Sequence, residues 1–216
     1  MNQLVDPRQQ PLLAAASELK LALDASTAQC LLRYLDLLHR WNATYNLTAV
    51  RDPQEMLVQH LFDCLAVITP LRRALPRSAR VLDVGSGGGL PGVVIALMCP
   101  EFDVVCVDTI GKKTAFIRQV AVELKLPNLA AEHARVEQLN VPPFDLVTSR
   151  AFSSLADFVR LTNRHLAPGA VWMAMKGKRP DAEVEALPSG VDVFHVEPLV
   201  VPGLGAERCL VWMRPQ

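Results

Sequence analysis

The sequence predicts an α/β fold with a mostly parallel seven-stranded sheet, an antiparallel hairpin at one sheet edge and a helical N-terminal extension. Three observations carry that prediction. Apolar residues recur at helical spacing before Arg80, strand and helix patterns alternate after it, and the apolar stretch Val81-Leu82-Asp83-Val84 runs directly into the glycine-rich turn Gly85-Ser86-Gly87-Gly88-Gly89-Leu90-Pro91-Gly92. Alternating strands and helices build a parallel sheet covered on both faces, because each parallel step needs a crossover connection.

Taken in order, Met1–Arg8 lacks a cationic start leading into an apolar stretch, and no apolar run approaches membrane-spanning length, so a cytoplasmic protein with no membrane association is expected. Thr27 is expected to cap a helix that places Leu31, Tyr34, Leu35, Leu38 and Trp41 on one face. A polar, aromatic connector, Trp41–Thr48, is expected next. Asp52-Pro53-Gln54-Glu55 then starts a second helix, with Asp as cap, Pro at the first helical position and Glu three residues after the cap. The composition shift near Arg80 divides the chain into an extension, residues 1–79, and a core, residues 80–216. Strands are expected at 80–84, 103–108, 130–134, 144–149, 170–176, 191–197 and 207–213. No helical pattern separates the last two, which predicts the antiparallel hairpin.

The glycine turn is the strongest functional signal. Glycine admits backbone conformations and close ligand approach that a Cβ would block, and Pro91 suits the first turn of a following helix. The dinucleotide fingerprint G-x-G-x-x-G fails when counted from Gly85, because Leu90 stands where the last glycine belongs. A match from Gly87 through Gly89 to Gly92 starts late. Asp83, two residues before the first glycine, suits the cationic, amine-bearing end of S-adenosylmethionine better than a pyrophosphate, and acid-x-Gly-x-Gly resembles the opening motif of methyltransferases that use this cofactor. Asp108 ends the next strand pattern, about twenty residues after Gly87, where a carboxylate meets a ribose diol. The alternative for both acids is that they are polar strand ends.

At 216 residues, half of them hydrophobic, the chain has ample material for a packed core. Its five cysteines, Cys30, Cys64, Cys99, Cys106 and Cys209, are scattered singly, suggesting buried small hydrophobes and neither a zinc site nor a disulfide framework. The five histidines show no metal-ligand spacing, so no metal is expected. With 22 basic and 22 acidic residues the chain is no general polyanion binder, and any RNA contact must be local. Arg72, Arg73, Arg77 and Arg80, then Lys112 and Lys113, then Lys176, Lys178 and Arg179 are the local basic groups, with ordinary solvated charge as the alternative for each. Phe152 or Trp41 can stack on an exposed base or sit in the core.

Four segments together, Trp41-Asn42-x-x-Tyr45-Asn46-Leu47-Thr48, Gly85-x-Gly87-x-Gly89-Leu90-Pro91-Gly92, Arg135-Val136-Glu137 and Ser149-Arg150-Ala151-Phe152, resemble the bacterial 16S ribosomal RNA guanine-N7 methyltransferases, the glucose-inhibited division protein B family. The resemblance covers nearly the whole chain. It implies a Rossmann-like class I methyltransferase fold, S-adenosylmethionine as cofactor, and methylation of a guanine in the 530 loop of small-subunit RNA, presented as RNA or as a small-subunit particle. It also implies cofactor contacts at Gly85, Leu90, Val136, Glu137 and Arg150, to which the glycine turn and the strand-end acid add Gly87 and Asp108. A monomer is expected.

The residues that end the fourth strand fit that chemistry by what they omit. Methylating an exocyclic amine or a ring carbon calls for a base or a nucleophile, whereas the guanine N7 lone pair needs no deprotonation. Thr148-Ser149-Arg150-Ala151-Phe152 offers no cysteine and no obvious base, so no catalytic residue is assigned. Asn140-Val141-Pro142-Pro143-Phe144 mimics an amino-methylation motif but precedes the strand and is read as a loop. Cys99-Pro100 likewise stands in reversed order for a catalytic Pro-Cys. Two rival functions remain open on the residues: a nicotinamide oxidoreductase using the Gly87 frame, and a methyl-donor-binding assembly factor that recognises ribosomal RNA without modifying it.

Overall fold

The computed structural model describes residues 6–216. Residues 1–5, part of the stretch read above for an export signal, lie outside the described residues. Among the described residues no helix is long and apolar enough to cross a membrane.

Helices α1 (Gln9–Glu18) and α2 (Ala25–Tyr45) open the chain. The cap of α2 is Asp24 and not Thr27: its carboxylate accepts from the Thr27 amide at 2.7 Å. A carboxylate three residues upstream satisfies that free N–H better than the Thr27 hydroxyl, which itself donates to Asp24. The apolar face is as predicted, with Leu31, Tyr34, Leu35 and Leu38 fully buried. The helix continues through Trp41 and ends at Asn46, which takes the left-handed conformation at φ +50°, so the expected connector shrinks to the residues after Tyr45. Asp52 caps α3 (Pro53–Met56) through the Gln54 and Glu55 amides. That helix runs on through a π-helical turn, Leu57–Phe62, into α4 (Asp63–Leu65), and α5 (Ile68–Ala74) follows.

The sheet comprises β1 (Arg80–Val84), β2 (Asp103–Asp108), β3 (Leu129–His133), β4 (Phe144–Arg150), β5 (Leu166–Lys176), β6 (Val191–Leu199) and β7 (Arg208–Pro215). Its order is β3-β2-β1-β4-β5-β7-β6. The first five strands pair in parallel and β7 runs antiparallel to both β5 and β6. Each predicted strand is present, and β7 inserts beside β5, which leaves β6 at the edge. Crossovers are supplied by α6 (Gly92–Met98), α7 (Gly111–Glu123), α8 (Leu155–Thr162) and the short α9 (Asp181–Glu185).

Period-two alternation sends Val81 to one sheet face and Leu82 and Val84 to the other. The Val81 face packs in one continuous cluster with α1, α2, α6 and α7. The opposite face is covered chiefly by Phe158 and Val159 of α8 and by Val136 and Leu139. Four of the five cysteines are buried, as expected, while Cys30 is half-exposed. Trp41 packs against Tyr45 and Phe116, and Phe152 against Phe158, and both remain partly exposed.

Helix α6 crosses β1 unusually closely. A Cβ on Gly92 would stand 2.4 Å from Cys106 Sγ and 2.9 Å from Asp83 Oδ2, inside van der Waals contact with both. Gly92→Ala is therefore expected to destabilise the protein by about 1–3 kcal/mol through overpacking. Adding Cys106→Ala removes the nearer clash, so the double variant should unfold in urea at a higher midpoint than the two single losses sum to; strict additivity would refute the contact.

Candidate functional site

The glycine turn leaves the C-terminal end of β1, at the boundary where the strand order switches from β1 to β4, the place where open α/β sheets form ligand crevices. Gly85, Gly87 and Gly89 all have positive φ, at +66°, +57° and +87°. Gly89 differs from the other two. A Cβ on Gly85 would meet nothing within 4 Å, and one on Gly87 only carbonyl oxygens of Gly85 and Leu47 at 4.0 Å, so both face open space. A Cβ on Gly89 would collide with Val93 at 2.5 Å, so Gly89 faces the packed side. Gly85 and Gly87 thus leave a bare backbone cradle.

Asp108, the last residue of β2, sits beside that cradle. It is buried, its Oδ2 accepts from the Gly87 amide at 3.0 Å, its Oδ1 accepts from the Ile110 amide at 2.9 Å, and Lys113 lies 3.6 Å away. A carboxylate with two backbone N–H donors is fixed in orientation, and each oxygen keeps a further lone pair for a ligand hydroxyl. Asp83 departs from expectation. It is fully buried on the α6 face, where its Oδ2 accepts from the Gly92 amide at 2.8 Å and Oδ1 has no partner. Its role is to tie α6 to β1; the period of β1 turns it inward, away from the crevice where a cationic ligand group would lie. Burial raises its pKa to about 7. Beside it the Ser86 hydroxyl is also buried without a partner.

The remaining predicted residues spread along the same sheet edge. Leu90 is buried within the turn, its amide donating to the Ser86 carbonyl at 3.0 Å. Val136 and Glu137 form a 3-10 turn after β3, whose carbonyls accept from His165 and Arg164. Arg150 ends β4, two residues beyond Thr148, the register partner of Asp83, and so stands level with Gly85. From β3 to β4 these residues span three strand spacings, about 14 Å. The cradle, Asp108 and the Val136–Glu137 turn lie on one side of Arg150.

On its other side the structure brings in residues to which periodicity and spacing give no pointer. The Arg150 guanidinium donates to the Gln59 carbonyl at 3.0 Å, inside the π-helical turn, and to Asp63 at 3.3 Å, while Arg208 donates to the second Asp63 oxygen at 2.9 Å. Tyr34, correctly placed on the buried helix face, donates its hydroxyl to the Gly88 carbonyl at 2.6 Å, linking α2 to the turn. Helical spacing marks Tyr34 as buried but says nothing of where its hydroxyl ends. The hydroxyls at the end of β4 are engaged: Thr148 donates to the Met173 carbonyl and Ser149 to the Val84 carbonyl. His60, bonded through Nε2 to the Thr48 hydroxyl at 2.9 Å, is lowered by burial to about 4 and is neutral at pH 7. Asp63, Thr148, Ser149 and His60 are all buried. The motif-like Asn140–Phe144 segment lies at the opposite end of the sheet, its Pro142 and Pro143 carbonyls accepting from Arg80. Among the described residues no group of His, Cys, Asp and Glu is placed to hold a metal ion.

The basic groups also sort by position. Arg72 donates to the Met98 carbonyl, Arg73 pairs with Glu197, and Arg80 opens β1. β1 separates this group from the glycine turn.

The raised pKa of Asp83 has a definite sign. A carboxyl whose folded pKa exceeds its unfolded value of 3.8 contributes stability at low pH that is lost as pH rises through about 7. Between pH 5 and pH 7 the loss is on the order of 2 kcal/mol. Asp83→Asn keeps an acceptor for the Gly92 amide and removes the titration, so its thermal midpoint should gain on the wild type steadily from pH 5 to pH 7. Parallel midpoints across that range would show that Asp83 does not titrate there.

With this geometry in place, comparison with known proteins is direct. Residues 27–211 match the family model described as GidB, rRNA small subunit methyltransferase G. The chain is 59% identical over 213 residues to a ribosomal RNA small subunit methyltransferase G of Leptothrix cholodnii, covering 98% of each chain, and 60% identical over 205 residues to that of Methylibium petroleiphilum, covering 94% and 93%. The fold is shared with the crystal structure of a TehB-like SAM-dependent methyltransferase from Corynebacterium glutamicum, with a TM-score of 0.56 at 16% identity over 85% of this chain and 98% of that one. The nicotinamide reading of the Gly87 frame falls with this match, although Gly92 does serve the close helix–strand packing that the third fingerprint glycine provides. The chain belongs to the rRNA small subunit methyltransferase G family, a family of S-adenosylmethionine-dependent methyltransferases.

Proposed function

We propose that this protein methylates N7 of a guanine in the 530 loop of 16S ribosomal RNA, and that it does so by positioning alone. The observation that carries the N7 reading is the state of the β4 terminus: Thr148 and Ser149 have their hydroxyls committed to backbone carbonyls, Asp63 is shared between two arginines, and His60 is a buried neutral ring. All four side chains are buried, and N7 has no proton to lose. S-adenosylmethionine supplies an electrophilic methyl group, and holding it in line with a ring-nitrogen lone pair supplies the acceleration. Residues 80–216 form the methyltransferase core in this reading and residues 1–79 an extension that supports it, acting in the cytoplasm, as a monomer, on the RNA or a small-subunit particle.

The cofactor contacts we assign are Gly85, Gly87, Leu90, Asp108, Val136, Glu137 and Arg150. The open space over Gly85 and Gly87 supports a ligand lying against their backbone, and Asp108 offers oriented lone pairs to a ribose diol. Val136 and Glu137 border the adjoining part of the crevice, Leu90 shapes the turn from within, and Arg150 closes the edge by β4.

Asp108→Ala should reduce S-adenosylmethionine affinity about tenfold to a hundredfold, since a hydrogen bond to a charged group contributes about 1.5–3 kcal/mol. Because Asp108 also holds the Gly87 and Ile110 amides, Asp108→Asn should retain more affinity than the alanine variant. Calorimetric titration giving wild-type affinity in folded Asp108→Ala would remove this residue from the site.

The substrate assignment is tested by methyl transfer to small-subunit RNA with the loop intact or with its guanine locked in duplex. The deep, narrow major groove of A-form RNA hides N7, so the duplex should be inert. The product should be cleavable with alkaline borohydride and aniline. Equal transfer to both RNAs, or a cleavage-resistant product, contradicts the N7 reading, and binding of cofactor and RNA without any transfer would favour a non-catalytic assembly factor.

A further inference from the structure

A second cavity, of about 410 Å³, opens on the far side of Arg150 from the glycine turn. It is lined by Gln59, His60, Arg150, Lys176 and Arg208, with Asp63 at its base. The topology explains why the cations converge. Arg150 and Lys176 close the parallel strands β4 and β5, and Arg208 opens β7, which runs antiparallel beside β5 with Cys209 opposite Lys176. Three cations from three neighbouring strands therefore share one rim.

Their charges are only partly met. Asp63, 3% exposed, takes Arg150 on one oxygen and Arg208 on the other, and Lys176 pairs with Glu183 of α9 at 2.8 Å. Three cations against two carboxylates leave one positive charge at the cavity. The hydrogen-bonding capacity left over is donor capacity, because the guanidiniums and the ammonium carry more N–H groups than their partners use. His60 Nε2 is bonded to the Thr48 hydroxyl at 2.9 Å, which leaves Nδ1 as a buried ring nitrogen without a partner. The backbone bears strain at the same spot: Ala151, directly after Arg150, has φ +66°, a conformation a side-chain-bearing residue rarely holds without a local reason.

We propose that this cavity is a phosphodiester subsite for the RNA substrate, in which Arg208 and Lys176 donate to a phosphate next to the methyl-accepting base. It rests on the proposed function for the identity of the RNA. One net positive charge and a donor-rich lining match a single phosphodiester, which has one negative charge and offers acceptors only. Arg150, held by the Gln59 carbonyl and Asp63, is the wall between this subsite and the methyl-donor cradle, so a phosphate bound here places its own base beside the cradle. Interactions of this kind fix register and leave sequence to be read elsewhere.

The test uses the full-length protein and a labelled loop fragment of small-subunit RNA, titrated by fluorescence anisotropy at several salt concentrations. Arg208→Gln and Lys176→Gln should each weaken RNA binding about fivefold to tenfold and flatten the dependence of log affinity on log salt by about 0.7, the slope that neutralising one phosphate of a single strand contributes. Affinity for S-adenosylhomocysteine should stay at the wild-type value in both. A purely structural role for either cation would leave the salt slope where it is. Folded variants with wild-type RNA affinity and slope would overturn the subsite. Should Arg208→Gln fail to fold because Asp63 is left with one partner, Lys176→Gln decides alone, since its partner Glu183 has a side chain one-third exposed. A wild-type protein that binds the fragment but never methylates it would contradict the proposed function and leave the subsite standing.

Discussion

The hydrogen bond from the Gly92 amide to the buried Asp83 carboxylate is the constraint on which the rest of the site depends. It fixes the start of α6 against β1 at a separation that admits no Cβ at position 92, and so sets where the turn between them must travel. A turn of five consecutive small residues has almost no side chains with which to hold its own shape. Its conformation is supplied from outside, by three groups on three elements. Asp83 of β1 takes the Gly92 amide, Asp108 of β2 takes the Gly87 amide, and Tyr34 of α2 gives its hydroxyl to the Gly88 carbonyl.

That arrangement gives the N-terminal helices a direct part in the site. Tyr34 lies in the same hydrophobic cluster as Phe116 and Ile117 of α7, so α2, the turn and the helix after Asp108 share one packed layer. Backbone groups oriented by neighbours before a ligand arrives need not be ordered on binding, which is the general advantage of preorganisation. The cost falls on Asp83, whose full burial in a carboxylate-disfavouring setting raises its pKa.

The two sides of Arg150 divide the labour at the sheet edge. Towards β1 lie bare backbone and a fixed carboxylate; towards β5 lie cations from β4, β5 and β7 around one buried acid. The helical extension reaches this side as well, because the π-helical turn presents the Gln59 carbonyl to Arg150 and sets His60 beside it. An overall balance of charge in the chain conceals this separation entirely.

The sequence by itself determined the sheet, the helical face of α2, the Asp52 cap and the position of the glycine turn, because each follows from periodicity or local backbone chemistry within a few residues. Seven strands and their parallel core were legible for that reason, as was the family. The tertiary structure decided where polar groups point. Asp83 reads identically as a ligand carboxylate or a buried anchor until α6 is packed on it, and Asp108 reads as a strand end until Gly87 and Ile110 fold back on it. Thr27 gave way to Asp24 as a cap for a similar reason, since two good caps three residues apart are separated only by which one meets the free amide. Asp63 and Arg208 are 145 residues apart and meet only because β7 turns back beside β5. The Arg72–Arg80 group looked continuous along the chain, yet the length of β1 carries it to the end of the sheet opposite the glycine turn. Local sequence fixes which backbone conformation a segment adopts, whereas the partner of a buried charge is chosen by packing between distant segments.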